Sequence, residues 1–328
     1  MLTPVFMLIA TSNFEISNKK NVGKADFVLA LDSNGDGIDE IITINEEQLT
    51  FRDKTTSISG KPHVFARGDL DRDGKEEAYI GLGFSKKNRT AAKQILRLDD
   101  SGSTLLWSEN GKTNHLSDLH ITDGKLFLVG ANDNGKIRSG WIENGKWVEQ
   151  LSIKLGLRQY PLSTNTIAVG RVYGDEPKSD GDLFIYRAGK KSSQIPTFRG
   201  IRALAVSDIN GDQSDELLVS DGWHYKYGTD AVARIRLHTG KNYNKARTIA
   251  EFKTDYTINR IEVHKNLPSV FLAQGSHHAH LVYFDSFGWN TKQICKLQPG
   301  ANAVFHYNKN QTSVLCAGPN AVQVILKQ

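Results

Sequence analysis

A short acidic loop occurs three times in this chain, each time with the same order of oxygen-bearing residues. Side-chain oxygens at loop positions 1, 3, 5 and 9, with a backbone carbonyl at position 7, form the oxygen shell that a hard cation such as calcium prefers. The predicted Ca²⁺ ligands are Asp32, Asn34, Asp36, Ile38 and Glu40 in the first loop, Asp69, Asp71, Asp73, Lys75 and Glu77 in the second, and Asp208, Asn210, Asp212, Ser214 and Glu216 in the third.

The sequences that flank the loops indicate strands and not the helices of an EF-hand. The last Glu of each loop opens a short β-type run, at residues 41–44, 78–80 and 217–219. Position 6 is glycine in two loops, which permits a tight turn, but it is Gln213 in the third. We therefore expect three calcium-clasped strand–loop–strand turns, of which the third is the weakest. An acidic turn without metal is the alternative.

The strand–loop–strand pattern extends over the whole chain as seven units. Four further pairs of short apolar runs occur without a complete acidic loop, at residues 119–121 and 126–129, 167–172 and 183–186, 261–263 and 270–273, and 304–307 and 314–317. The mean spacing of about 46 residues is that of a four-stranded propeller blade. The sequence predicts an all-β fold, with residues 1–328 forming a single seven-bladed β-propeller. Eight blades or an open solenoid are the alternatives.

The two ends of the chain are predicted to meet in the last blade. The seventh unit contains three strands, and residues 13–24 hold a strand that belongs to no other unit. An N-terminal strand that completes the last blade would close the ring and remove its exposed edges. Residues 1–12 are interpreted as a signal or anchor segment, the alternative being an ordinary buried strand.

Net charge and hydropathy limit the classes of partner, and the positions of the cysteines indicate their chemical state. The formal net charge is +5, and the basic residues are scattered, which argues against nucleic-acid binding. No apolar run is long enough to span a membrane. Cys295 and Cys316 lie in apolar strand-like runs, where we expect buried free thiols in preference to a disulfide.

The acidic loop between the first two strands of a blade resembles the FG-GAP/VCBS repeat found in integrin α-chains, fungal lectins and bacterial surface proteins. The resemblance rests on the loop motif in three units and on spacing in the other four. It implies a calcium-binding propeller that acts outside the cytoplasm, extracellular, periplasmic or at the cell surface, in adhesion or carbohydrate binding. The family contains binding proteins and enzymes, so the fold alone does not decide function.

A ring of polar residues is predicted at the rim opposite the calcium loops. The position six residues before the first loop ligand is polar in every unit. Strand entries are often polar simply because they meet solvent, but in a propeller these positions would surround the mouth of the central channel. The aligned residues are Asp26, His63, Ser117, Asn165, Arg202, Asn259 and Asn302.

Two loops on the same rim are rich in aromatic and basic side chains. Aromatic faces stack on sugar rings and cations bind carboxylates, so the cluster suits an anionic glycan. The candidate ligand-binding residues are Trp223, His224, Tyr225, Tyr227, His277, His278 and His280, above Arg202 and His63. An alternative use of His278 and His280, two residues apart on one strand face, is a zinc or copper site with His224 as third ligand.

The function that best fits these patterns is a monomeric, non-catalytic, calcium-stabilised propeller that binds carbohydrate or protein outside the cytoplasm. The alternative is a polysaccharide-active enzyme, above all a lyase in which Tyr or His takes a proton beside a uronate carboxylate and Arg offsets the developing charge.

Overall fold

Seven four-stranded antiparallel sheets form the blades of a β-propeller, which confirms the predicted fold class. The structure is a computed structural model that describes residues 14–83, 93–109, 115–131, 136–154, 158–171, 183–195, 197, 200–224 and 228–327. Each of the first six blades is a meander in which consecutive strands pair, as expected for a repeat joined by short turns.

The first four blades comprise strands β2 to β17. Their bounds are β2 Phe27–Leu31, β3 Glu40–Asn45, β4 Gln48–Phe51 and β5 Lys54–Ser57; β6 Lys61–Gly68, β7 Glu77–Gly83, β8 Lys93–Asp99 and β9 Gly102–Glu109; β10 His115–Thr122, β11 Lys125–Ala131, β12 Lys136–Glu143 and β13 Lys146–Lys154; β14 Arg158–Ser163, β15 Thr166–Gly170, β16 Leu183–Arg187 and β17 Lys190–Ile195.

The last three blades comprise the remaining strands and include the N-terminal one. Their bounds are β18 Ala203–Ser207, β19 Glu216–His224, β20 Gly228–Thr239 and β21 Lys245–Phe252; β22 Ile258–His264, β23 Leu267–Gly275, β24 His278–Asp285 and β25 Gly288–Lys296; β26 Ala303–Asn308, β27 Gln311–Cys316, β28 Gly318–Lys327 and β1 Glu15–Ala25. A single 3₁₀ turn, Lys241–Tyr243, is the one helical element of the described ranges, none of which contains a helix that is long and apolar enough to cross a membrane.

The first strand of each blade lies innermost, beside the propeller axis. Strand β2 contacts β26 on one side, and β10 contacts both β6 and β14, so that neighbouring first strands surround a central channel. These strands are apolar because each is covered on both faces; all five residues of β2, Phe27–Leu31, are buried.

The hydrophobic core is divided into clusters that lie between adjacent blades. Phe27 of the first blade packs edge-to-face on Phe65 of the second, with ring centroids 5.5 Å apart. Leu119 and Leu128 of the third blade share a cluster with Ile95 and Trp107 of the second. Because each blade buries one face against each neighbour, a blade is stable only within the ring.

Strand β1 is the outer strand of the seventh blade, where the sequence placed residues 13–24. It pairs antiparallel with β28, from Glu15 opposite Lys327 to Ala25 opposite Gly318. Phe14, just before it, is buried and packs on Tyr283 of the sixth blade, with ring centroids 5.4 Å apart. The pairing brings the two ends of the described chain into one sheet. Residues 1–12, the predicted signal or anchor, lie outside the described residues.

Cys295 and Cys316 form a disulfide, so the expectation of free thiols is wrong. The two residues lie on β25 of the sixth blade and β27 of the seventh. The ring packs the outer strands of one blade beside the next, which joins two apolar runs that the sequence left separate. The bond links neighbouring blades covalently.

The fourth blade begins one strand earlier than its apolar pattern indicated. Residues 167–172 were expected to be its first strand, but Thr166–Gly170 is its second strand, after β14. Strand β14 was missed because it reads Arg158-Gln-Tyr-Pro-Leu-Ser163, which contains a proline and few apolar residues. Asn165 consequently lies in the turn between these strands, on the rim of the acidic loops, and is not part of the axial ring.

Candidate functional site

The three acidic loops join the first and second strands of their blades and share one hydrogen-bonding pattern. The carboxylate at position 1 accepts bonds from the N–H groups of positions 5 and 6 at 2.9–3.1 Å in every loop. The Glu at position 9 accepts the N–H of position 2 at 2.9–3.0 Å. All three sequences therefore fold into the same loop, including the one with Gln213.

Two positions of each loop have a left-handed backbone, of which the sequence indicated only one. Position 6 has φ of 81° at Gly37, 87° at Gly74 and 68° at Gln213. Position 4 is also left-handed, with φ of 63° at Arg72, whereas the other two loops have glycine there. Each of the second and third loops thus carries one non-glycine residue in a strained conformation.

The second loop brings four carboxylates together. One oxygen from each of Asp69, Asp71, Asp73 and Glu77 lies within 4.8 Å of the others, a cluster that could hold a metal ion. Burial raises the pKa of Glu77, and neighbouring Asp71 adds to the effect because like charges disfavour ionisation. Arg97 offsets part of this charge, with Nη2 3.0 Å from Asp71 and 3.2 Å from Glu77.

In the first and third loops the Glu at position 9 has other partners. Arg52 lies 2.9 Å from Glu40 in the first loop, and the side-chain amide of Asn34 donates to Glu40 at 2.9 Å. In the third loop the amide of Asn210 donates to Glu216 at 2.9 Å. The carboxylate at position 9 thus meets an arginine and an amide in the first loop and an amide in the third. Of the three loops, all of which lie in the described ranges, the second is the one whose carboxylate oxygens gather closely enough to hold a metal ion.

A cavity of about 700 Å³ lies at the opposite end of the propeller axis. It is lined by residues from the entries of the first strands and from the loops between second and third strands. Five residues of the predicted polar ring line it: Asp26, His63, Ser117, Asn259 and Asn302. Arg158 of β14 also lines it. It occupies the position of the polar ring that the sequence had assigned to Asn165 in the fourth blade. We call this space the mouth cavity.

Some polar residues of the mouth cavity hold neighbouring blades together. The side-chain amide of Asn302 donates to the carbonyl of Val28 and accepts its N–H, both at 2.8 Å. Arg158 donates to the carbonyls of Ser117 at 2.6 Å and Arg202 at 2.7 Å. These side chains replace the backbone bonds that separate sheets cannot make, so their first role is structural.

Other residues of the mouth cavity face its interior. Asp26, His63 and Asn259 are exposed, and they come from three different blades. The hydroxyl of Ser117 is buried and has no hydrogen-bond partner among the described residues. A buried hydroxyl without a partner is costly, unless water or a ligand binds it. This set offers donors and acceptors to a polar ligand.

A second cavity of about 400 Å³ lies further along the channel, and a stacked pair separates it from the mouth cavity. The guanidinium of Arg260 lies 3.5 Å from the ring centroid of Phe65 and donates to its carbonyl at 3.2 Å, and both residues line both cavities. Burial lowers the pKa of Arg260, and the nearby Glu262 and Asp118 counteract that effect. Arg67 and Glu262, which also line the second cavity, form an ion pair at 2.9 Å, so the channel interior holds paired charges.

The channel also holds a tyrosine and a histidine. The rings of Tyr160 and His120 lie 4.4 Å apart, and His120 is 3.3 Å from Asp118. Burial raises the pKa of Tyr160 to about 12, and nearby acidic residues contribute. A tyrosine with this pKa is a poor base at neutral pH, since less of it ionises than of an exposed tyrosine.

The predicted aromatic cluster falls largely outside the described residues. Tyr225 and Tyr227 are not described, and Trp223 and His224 are placed only as backbone at the end of β19. Arg202 lies at the entry of β18 and donates its backbone N–H to Ser220 at 3.0 Å. The structure therefore leaves this part of the predicted ligand site as a prediction.

The three histidines of the sixth blade are placed around an acid that the sequence analysis missed. His277 is exposed, whereas His278 and His280 turn toward the buried Asp255, with ring nitrogens 3.1 and 2.8 Å from its Oδ2. These bonds, and the N–H of His277, hold the pKa of Asp255 well below its usual range despite burial. No motif surrounds Asp255, so only the fold could reveal the contact.

Comparison with known proteins adds no family assignment, since neither a family model nor a curated protein matches this chain.

Proposed function

We propose that this protein is a non-catalytic, calcium-stabilised propeller of the FG-GAP/VCBS type that binds a carbohydrate at its mouth cavity. The observation that carries the proposal is the concave space of about 700 Å³, lined by polar residues from several blades. A cavity of this size fits a short segment of a glycan, and ligand sites are typically concave spaces with a few well-placed polar groups.

The residues that would bind the ligand are those whose polar groups face the cavity. Asp26, His63 and Asn259 are exposed, whereas the hydroxyl of Ser117, which has no partner among the described residues, is buried behind the lining. Sugar hydroxyls donate and accept hydrogen bonds, so they match a lining that contains carboxylate, imidazole and amide groups. The other lining amides and Arg158 keep the blades, and hence these groups, in place.

Calcium in this proposal stabilises the scaffold and does not touch the ligand. The three loops have matching hydrogen bonds, and the ligands named above would bind one Ca²⁺ in each. Because the loops connect first to second strands, they lie at the other end of the axis from the mouth cavity. A bound cation would remove the repulsion between neighbouring carboxylates in each loop.

A location outside the cytoplasm is part of the proposal. The Cys295–Cys316 disulfide is consistent with an extracellular protein, because such bonds persist in oxidising compartments. The family resemblance points the same way. A lyase is the alternative, and Tyr160, the tyrosine of the channel, would not be its base at the mouth cavity because it lines the second cavity and not the mouth cavity.

A glycan array with matched variants tests the proposed function. We expect the chain to bind a subset of glycans, and we expect His63→Ala and Asn259→Ala to weaken that binding at least about tenfold, a loss of about 1.4 kcal/mol. Lys253→Ala is the control, because Lys253 is exposed in the connection before β22, on the same rim, but does not line the mouth cavity. Binding that survives both mouth variants, or the absence of any glycan binding, would contradict the proposal.

A further inference from the structure

Asp255, His278 and His280 form a cluster that is separate from the acidic loops. Asp255 precedes β22, and the two histidines lie on β24 of the same blade. One ligand atom from each of the three residues lies within 4.8 Å of the other two. The histidines are two residues apart on one strand, so their side chains project from the same face of the sheet.

The two oxygens of Asp255 have different tasks. Oδ1 accepts the N–H of His277 at 2.6 Å and of His278 at 3.2 Å, and the hydroxyl of Ser276 at 3.2 Å. These bonds fix the carboxylate against the loop between β23 and β24. Oδ2 instead meets two imidazole nitrogens, His278 Nδ1 at 3.1 Å and His280 Nε2 at 2.8 Å. One oxygen thus anchors the loop, and the other meets the two imidazoles and the hydroxyl of Thr254, which donates to it at 3.5 Å.

The surroundings hold the cluster in place. The side chain of Asp255 is fully buried, and those of His278 and His280 are 15% and 7% exposed. Phe252 packs on His280 with ring centroids 4.7 Å apart. A Cβ added to Gly275 would lie 2.3 Å from the carboxylate of Asp255, so only glycine leaves room for it. Rigid support of this kind is what a metal centre needs from its neighbours.

We propose that Asp255, His278 and His280 bind a transition-metal ion of the Zn²⁺ class through Oδ2, Nδ1 and Nε2. In a tetrahedral site with bonds of 2.0–2.1 Å, neighbouring ligand atoms are about 3.3 Å apart. The two observed separations of 3.1 and 2.8 Å are close to that edge, so a small outward movement would admit the ion. Imidazole nitrogen favours zinc, copper or nickel over calcium.

Three protein ligands would leave one coordination position open. Ser276 and Gly275, which adjoin the cluster, line the mouth cavity, so the metal would lie at the wall of that cavity. This inference does not depend on the proposed carbohydrate binding, because it concerns the metal alone.

Metal binding by the full chain tests the inference directly. Protein without a histidine tag is stripped with a chelator and returned to excess Ca²⁺, which keeps the acidic loops occupied, and is then titrated with Co²⁺ and Zn²⁺. We expect one equivalent to bind, with the visible absorption of tetrahedral Co²⁺. His278→Gln and His280→Gln should each weaken binding at least about tenfold.

His277→Gln is the matched control, because its ring is exposed and only its backbone contacts Asp255. It should bind Co²⁺ and Zn²⁺ as the wild type does. His280 is the more buried of the two histidine ligands. If His280→Gln does not fold, the Co²⁺ spectrum of His278→Gln decides. Failure of the wild type to bind either metal beyond the calcium sites, or equal binding by His278→Gln, would overturn the inference and leave Asp255 as a metal-free anchor of the loop.

Discussion

Single residues in left-handed turns distinguish the three acidic loops. The first loop has glycine at both left-handed positions, whereas Arg72 and Gln213 occupy one such position in the other two. The predicted side-chain ligands at positions 1, 5 and 9 are the same in all three loops, and position 3 is Asp71 in the second loop but asparagine in the other two. The sequence motif revealed the strain at position 6 but not at position 4, because the motif does not specify a residue there.

Replacing Gln213 with glycine should stabilise the protein. Relief of about 1–2 kcal/mol of left-handed strain exceeds the entropic cost of glycine, about 0.5–1 kcal/mol. We expect Gln213→Gly to raise the free energy of unfolding by about 1 kcal/mol or less, and Gly37→Gln, the reverse change in the first loop, to lower it. Urea denaturation in excess Ca²⁺ measures both. A lower stability of Gln213→Gly would contradict this account.

Buried titratable residues should make the protein sensitive to acid. Burial lowers the pKa of His264 to about 4 from its ordinary 6.5. The unfolded chain therefore binds a proton below pH 6.5 that the native state refuses until about pH 4. The stability that this histidine contributes above pH 6.5 is lost as the pH falls through that window, by up to about 1.4 kcal/mol per pH unit. We expect His264→Gln to flatten the decline.

Asp39 should have the opposite effect on how the stability changes with pH. Burial raises its pKa to about 6 even though Arg67 lies 3.3 Å away, so the native state takes up this proton before the unfolded chain does. Protonation then favours folding as the pH falls from 6 to 4. Asp39→Asn should make the acid decline steeper, as measured by urea denaturation at several pH values. If the stability of Asp39→Asn and of His264→Gln falls with pH in parallel with that of the wild type, these two residues do not set the acid response.

Strands were predictable wherever their apolar pattern was intact. Most second strands contain runs such as Leu126–Val129 in β11, because they are buried on both faces, whereas β3 is only partly buried. Strand β14 escaped prediction because Pro161 and polar residues interrupt its pattern, and its burial comes from neighbouring blades. The disulfide escaped for the same reason, since it depends on which blades adjoin.

The closing strand β1 should be required for solubility. Its removal would expose the edge of β28 and the pocket that holds Phe14, and exposed edges invite pairing between molecules. Deletion of residues 1–20 should therefore produce aggregates in size-exclusion chromatography. Deletion of residues 1–12 is the control and should leave a monomer, because it spares Phe14 and all of β1. Equal behaviour of the two truncations would refute the role of β1.

Three features of the whole molecule follow one another along the propeller axis. Acidic loops occupy one rim, paired charges fill the channel, and the mouth cavity opens at the other rim. The sequence could predict the loops, because their ligands are close in the chain, and most of the polar ring, because one position repeats in each blade. It could not predict Asp255 beside His278 and His280, or the Arg260–Phe65 pair, because those contacts join residues distant in sequence.

Calcium-dependent melting tests the central claim, that the acidic loops bind Ca²⁺ and stabilise the propeller. Each site that binds only the folded state adds about 2.7 kcal/mol at a hundredfold excess of Ca²⁺ over its Kd. We expect the Tm to rise by several degrees between excess chelator and excess Ca²⁺. Asp69→Ala should reduce that rise more than Asp208→Ala, since Gln213 already weakens the third loop, and Glu47→Ala, outside the loops, should leave it unchanged. A Tm that is the same in chelator and in Ca²⁺ would contradict the account.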